Sequence, residues 1–359
     1  MFLNCSKPIE SMKTILFVFL LIQGLTMPAY GLSDTCAVST YFNTIYSAEI
    51  HLVEGNRDES MKLYYEAFNS EGEEKIIFIK DLHNALMLAY QNGNTGYFEK
   101  FMYHLNDYDV DSSFFETVGY EDLKESRFYP IVRSFFANKI DSHRNSPVCE
   151  FFERLTILDQ SIRKACREKY SGSLYYFCGE EIDLLDSLVL LQLKDYFEEH
   201  GIPKESEFCD VLRYSTPPYY LIIKHNLHWC RSEIIEVLKN QIGKVHPQVL
   251  GDILNYTYSN PCNGRDPESR LGLGNYFRLE KSLYAWTPPQ ELIDTLNQNR
   301  MAIHLDSIEH VHKKIIFQEF NPEYILVLGF NIPIIEADKE FIDYLKEKYK
   351  DIKVTEVKY

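Results

Sequence analysis

A Gly-Asn step recurs at 55–56 and 93–94, each time after an alanine-bearing segment of helical periodicity and before an aromatic-rich one. Glycine tolerates the left-handed backbone that closes a helix, and asparagine accepts hydrogen bonds where the next one starts. The early part of the chain is thereby constrained to pairs of short helices: TYFNTIYSAEIHLVEG with DESMKLYYEAFNS, then IKDLHNALMLAYQNG with TGYFEKFMYHLND. Ala48 and Ala89 allow two helices to approach closely, and Tyr64, Tyr65 and Phe68 suit the adjoining groove. The chain has 26 tyrosines and 23 phenylalanines, and their helical spacing reads as core packing.

The paired segments resemble degenerate tetratricopeptide repeats, although the tryptophan and the glycine-tyrosine pair of that repeat are missing. Residues 107–145 are rich in charged and turn-forming side chains, with Pro130 and Pro147 as breakers, and a boundary is expected near 145. Beyond it the pattern predicts helices over 148–170, 182–200 (stopped by Gly201 and Pro203), 218–225, 247–256 and 291–301. His304, His310 and His312 fall in a polar stretch that reads as exposed. Tyr324–Phe330, 337–349 and 353–359 read as strand, helix and strand. The expected fold is mainly α: helical-hairpin (TPR-like) repeats over 32–145, a helical domain over 146–323, and a small strand-helix-strand tail over 324–359 packed on it.

Lys13 to Gly31 carries one lysine, an apolar run and then small residues, the pattern of a secretory signal peptide. The run from Ile15 to Leu25 is far shorter than the roughly twenty residues that span a bilayer. Residues 1–31 are therefore expected to be a signal peptide cleaved after Gly31, with Met12 as the start of translation. Export to a bacterial periplasm or beyond follows as an expectation. Of the eight cysteines, six lie between Cys149 and Cys262, and an oxidising compartment would allow one or two disulfides among fifteen pairings. No C-x-x-C occurs. The net charge of −16, from 53 acidic and 37 basic residues, argues against nucleic acid as a partner. A protein or cell-envelope component is the expected partner, without stable membrane insertion after cleavage and without cofactor or metal.

Three short patterns carry chemistry. In LTILDQSIRK, Asp159 and Arg163 are four apart and share a helix face, whereas Gln160 is directed elsewhere around the helix. In YYLIIKHNLHWC, His225 and His228 share a face and Cys230 does not, which makes a weak case for zinc; His225 alone reads as a core histidine or a base. In DTLNQNRMAIHL, Asn297 and Arg300 are three apart.

Taken in order, Asp159-Gln160-x-x-Arg163, the helix ending before Gly201-Ile-Pro203, Ile222-Ile223-Lys224-His225 and Asn297-x-x-Arg300 resemble an uncharacterised helical domain of exported and other bacterial proteins. Asp266 and Tyr276 are loose counterparts of that domain's aspartate and tyrosine. The resemblance implies that Asp159, Arg163 and His225 share a site, but names no reaction. Two readings follow. One is an exported binding scaffold at the cell envelope. The other is a hydrolase-like enzyme with His225 as base, Asp159 orienting it, and Arg163 or Arg300 holding an anionic substrate.

Overall fold

Helices pair where glycine lets the backbone turn. In the computed structural model, α1 (Leu32–Val53) and α2 (Arg57–Phe68) meet through Gly55 at φ +80°, and α3 (Ile79–Gln91) and α4 (Thr95–His104) through Gly93 at φ +66°. The Asn94 side chain accepts the Tyr97 N–H at 3.1 Å and so caps α4. Ala48, Ala89, Tyr64 and Phe68 are buried, and Tyr65 meets the Tyr97 ring edge-on. The structure describes residues 32–70, 76–139, 146–169, 174–209, 217–226, 233–259, 271, 276–279, 282–287, 289–328, 334–336, 338–348 and 353–357. The expected leader, His228, Cys230 and Asp266 lie outside them, as does the Tyr276 side chain.

Two short 3-10 turns, Ser112–Phe115 and Leu123–Glu125, lead into α5 (Tyr129–Asn138). Then α6 (Pro147–Lys169) and α7 (Leu174–His200) run back on one another, with α8 (Tyr219–Asn226) packed against both. The chain continues through α9 (Glu233–Lys239), α10 (Pro247–Ser259), a hairpin of β1 (Tyr276–Leu279) and β2 (Ser282–Thr287), α11 (Gln290–Ala302) and α12 (Ile308–Phe320). The protein is mainly helical. Near its end, β3 (Ile334–Glu336) pairs parallel with β1, and β4 (Lys353–Val357) pairs antiparallel with β2, in the order β3-β1-β2-β4; α13 (Lys339–Lys348) joins the two. The β1–β2 hairpin was not foreseen, because Glu280-Lys281 between the two β-prone runs lacks the Asn-Gly or Asp-Gly pair that signals a tight hairpin.

Two expectations are corrected. Tyr324–Leu328 is not a strand. It is a largely buried segment, bent at Leu326 and Val327, whose backbone groups bond to amide side chains instead of a neighbouring strand. Asn84 exchanges bonds with Ile325 N–H (2.8 Å) and C=O (2.7 Å), and the Gln318 Oε1 accepts from Leu326 and Val327 at 2.7 and 2.8 Å. Gln248 accepts from Leu328 N–H and donates to Leu326 C=O, both at 3.0 Å. An apolar run signals burial, but burial needs only that each peptide group finds a partner, and three helices supply it here. Second, His304, His310 and His312 are not on an exposed stretch. Each is partly buried, the last two on α12, whose inner face carries Ile308, Val311, Ile315 and the fully buried Lys314.

One apolar core runs from Val38 to Leu328 and includes side chains from both sides of residue 145. A chain of buried charges crosses it. Lys80 contacts Glu49 at 2.7 Å and Asp81 at 2.9 Å; Glu49 also bonds Lys314, which reaches Asp306 at 2.6 Å, and Arg300 donates from Nε to the Asp306 carbonyl at 2.6 Å. Burial alone would push the Lys80 ammonium down, but Asp81 and Glu49 more than reverse this and raise it. Burial likewise works against the Asp306 charge, and Lys314 and Arg300 outweigh it, holding that carboxyl below its ordinary value. Three carboxylates thus balance three cations.

Candidate functional site

The inner stripe of α6 is Cys149, Phe152, Leu155, Asp159, Arg163 and Cys166, an apolar seam whose register continues into a charged pair. Ser146 opens the helix by accepting the Cys149 N–H at 3.2 Å, with Pro147 at its first turn. On the facing helix, Cys178, Ile182, Asp186, Val189 and Leu193 are buried. Two features hold the hairpin's register. Phe152 packs near Phe197 at one end, and the Cys166–Cys178 disulfide, with Cα atoms 6.4 Å apart, closes the other. Cys149–Cys209, at 5.4 Å, ties the start of α6 to the segment before α8.

These constraints bring four side chains together. Arg163 points Nη2 at both oxygens of Asp186 (2.7 and 2.6 Å), while Nη1 donates to Asp159 Oδ1 at 3.1 Å and to the Asp159 carbonyl at 2.6 Å. His225, on the last turn of α8, places Nδ1 2.9 Å from the same Asp159 Oδ1. Asp159 and Asp186 are buried, and the His225 side chain retains 25 % exposure. A carboxylate oxygen only accepts, so the imidazole Nδ1 is the donor, and in the neutral ring Nε2 is then the acceptor nitrogen. Burial raises the Asp186 carboxyl above its ordinary value, and the bidentate Arg163 opposes it.

Gln160 is part of the cluster, contrary to the helical-wheel expectation. Its amide folds back and donates to Asp159 Oδ2 at 2.5 Å, the oxygen that Arg163 and His225 do not use, because a long flexible side chain can reach a neighbour that the helical wheel places elsewhere. Asn297 and Arg300 make their contacts elsewhere. Asn297 caps α12 by accepting the Ile308 N–H at 2.8 Å and donates to Glu309 at 3.0 Å. Arg300 is buried against Asp306 and the Leu271 carbonyl, beside a cavity of about 20 Å³. Both serve the junction of α11 and α12. The residue that sequence reasoning missed is Asp186. Its signal was the one acid inside LLDSLVLLQL, and a charge amid so many apolar residues implies a buried partner.

Ligand atoms of Asp159, Asp186 and His225 lie within 4.8 Å of one another, near enough to surround one cation. The Arg163 guanidinium already occupies both oxygens of Asp186 and one of Asp159, and its positive charge offsets one of the two negative charges. A metal would have to displace it. The arrangement can instead orient an imidazole through its Nδ1. No protein family, curated protein or solved structure matches the chain. The grouping of Asp159, Arg163 and His225 therefore stands on geometry.

Proposed function

We propose that the chain is an exported helical interaction scaffold, in which Asp159, Arg163, Asp186 and His225 fix three helices against one another. One observation carries this reading: the oxygens of both carboxylates and the Arg163 fork are engaged with one another, so the one cation of the cluster among the described residues is not available to an anionic substrate. Two disulfides suit an oxidising compartment, and no helix among the described residues is long and apolar enough to cross a membrane. The α1–α4 hairpins are read as TPR-like repeats, and the C-terminal strand-helix-strand as a tail docked on the β1–β2 hairpin. A groove of about 590 Å³, lined by Phe115, Val118, Tyr120 and Tyr129 with Glu116 and Glu121 at its rim, adds recognition surface to the first half.

A second reading keeps His225 as a general base, because its ring is partly exposed and its Nδ1 is tethered to a carboxylate, which assigns the acceptor role of the neutral ring to Nε2. The two are separated by turnover. Wild type and His225→Gln, which retains a donor toward Asp159, would be compared on a panel of ester, amide and phosphoester substrates. The scaffold reading expects no His225-dependent hydrolysis; hydrolysis that falls at least about a hundredfold in the variant, within the usual range for general-base catalysis, overturns it.

A further inference from the structure

Helix α7 is apolar on more than its buried side. Opposite the seam of Ile182, Asp186, Val189 and Leu193, three leucines face outward: Leu184 at 65 % exposure, Leu188 at 49 % and Leu191 at 54 %. Their spacing of four and three aligns them on one face. Continuing along that face in both directions, the exposed residues are all acids: Glu180 and Glu181 before the leucines, Asp195, Glu198 and Glu199 after them. At 100° per residue all eight fall within roughly 60° of a common line. The nearest lysine on the helix, Lys194, approaches Glu198 only at 3.9 Å. Single exposed leucines are ordinary, but three in register form a hydrophobic stripe, and stripes of this kind mark interaction surfaces.

The flanking charges say what covers it. A second copy laid antiparallel along the stripe would set Glu180 and Glu181 against Asp195, Glu198 and Glu199, and a parallel copy would set each cluster against itself. Either arrangement opposes like charges in a chain that already carries −16. Anionic lipid headgroups meet the same repulsion. We infer that the Leu184–Leu188–Leu191 stripe is a docking site for an amphipathic helix of another protein, apolar along its centre and basic at both ends. Leucine burial supplies the contact, and the acidic ends set register and exclude neutral or acidic helices.

The inference rests on the scaffold reading, but the two fail separately: His225-dependent hydrolysis would remove the scaffold and leave the stripe as it is. The probe is a synthetic amidated helix of about 20 residues, with leucines at three successive positions spaced four and three and lysines at both ends. It would be titrated into the full chain by calorimetry or fluorescence anisotropy at low and high salt. The expected result is saturable binding that weakens at least about tenfold in Leu184→Ser/Leu188→Ser/Leu191→Ser, which keeps every charge, and at least about tenfold for a peptide with glutamates in place of the lysines. The single Leu188→Gln variant gives the same direction if the triple variant does not fold. Equal binding by wild type and triple variant would show attraction by net charge alone and overturn the inference. So would sedimentation of wild type as a dimer that Leu188→Gln dissociates, or leucine-dependent binding to phosphatidylcholine–phosphatidylglycerol vesicles without binding to the peptide.

Discussion

Arg163 is a buried cation held by two carboxylates, and removing one member of such a set leaves an uncompensated charge in a poorly solvated place. Arg163→Met, which leaves Asp159 and Asp186 buried without their cation, is expected to cost about 3–5 kcal/mol, measured by urea unfolding, whereas Arg163→Met/Asp159→Asn/Asp186→Leu should recover most of that loss because none of the three charges remains. If the triple variant is as unstable as the single one, the trio is worth more than its desolvation cost and the site is not merely structural. Since Arg163 fills the space between the acids, zinc or manganese should leave the wild-type melting temperature unchanged. A second residue sets the acid limit. His246 is buried between Phe42 and Phe78, its Nδ1 accepts the Gln248 N–H at 3.1 Å, and burial together with Lys80 pushes it down to about 3. The unfolded imidazole, at its ordinary 6.5, takes up a proton that the folded one refuses. This contribution to stability is therefore complete above about pH 6.5 and is lost as pH falls toward about 3, amounting to about 3 kcal/mol at pH 4. His246→Gln should flatten the pH 4–7 part of the stability profile; an unchanged slope would place the acid sensitivity elsewhere.

At the scale of elements, the α6–α7 hairpin is the unit on which the site depends. Its far end is held by the small cluster of Cys166, Cys178 and Ile182, which is separate from the main core, so the disulfide has few apolar contacts to share the task. In the chain-entropy picture, removing Cys166–Cys178 by paired serines costs about 3 kcal/mol, and removing Cys149–Cys209, which closes the longer loop, about 4 kcal/mol. Hydrogen exchange should distinguish them. Loss of the first should raise exchange around Arg163 and Asp186, and loss of the second at the start of α6. The helices were readable in advance because apolar stripes, Gly201 and Pro147 act locally. Tyr324–Leu328 was misread because continuous apolarity reports burial without naming the hydrogen-bond partners, and Asn84, Gln248 and Gln318 come from helices far away in sequence. Helix α12 was missed because its buried face contains Lys314, whose partners Glu49 and Asp306 no local pattern reveals.

For the whole molecule, the buried chain from Asp81 through Lys80, Glu49, Lys314 and Asp306 to Arg300 joins the first helical hairpins to α11 and α12. In α3, every residue from Ile79 to Ala89 is buried, partly beneath the 323–328 segment. A fragment covering residues 32–139 would expose that surface and strip Lys314 from Glu49. It is expected to show helical far-ultraviolet dichroism but no cooperative melt, whereas the full chain melts with both parts coupled; a cooperative, independently folded fragment would contradict this. The sequence by itself determined the helical class, the glycine-punctuated hairpins of the first half and the pairing of Asp159 with Arg163, since each depends on residues within a turn or two of one another. Only the tertiary structure decided that His225 and Asp186 join that pair, that Arg300 and Asn297 do not, and which cysteines bond. Those outcomes depend on how helices separated by tens of residues pack and on where buried charges find their partners, and neither leaves a local mark in the chain.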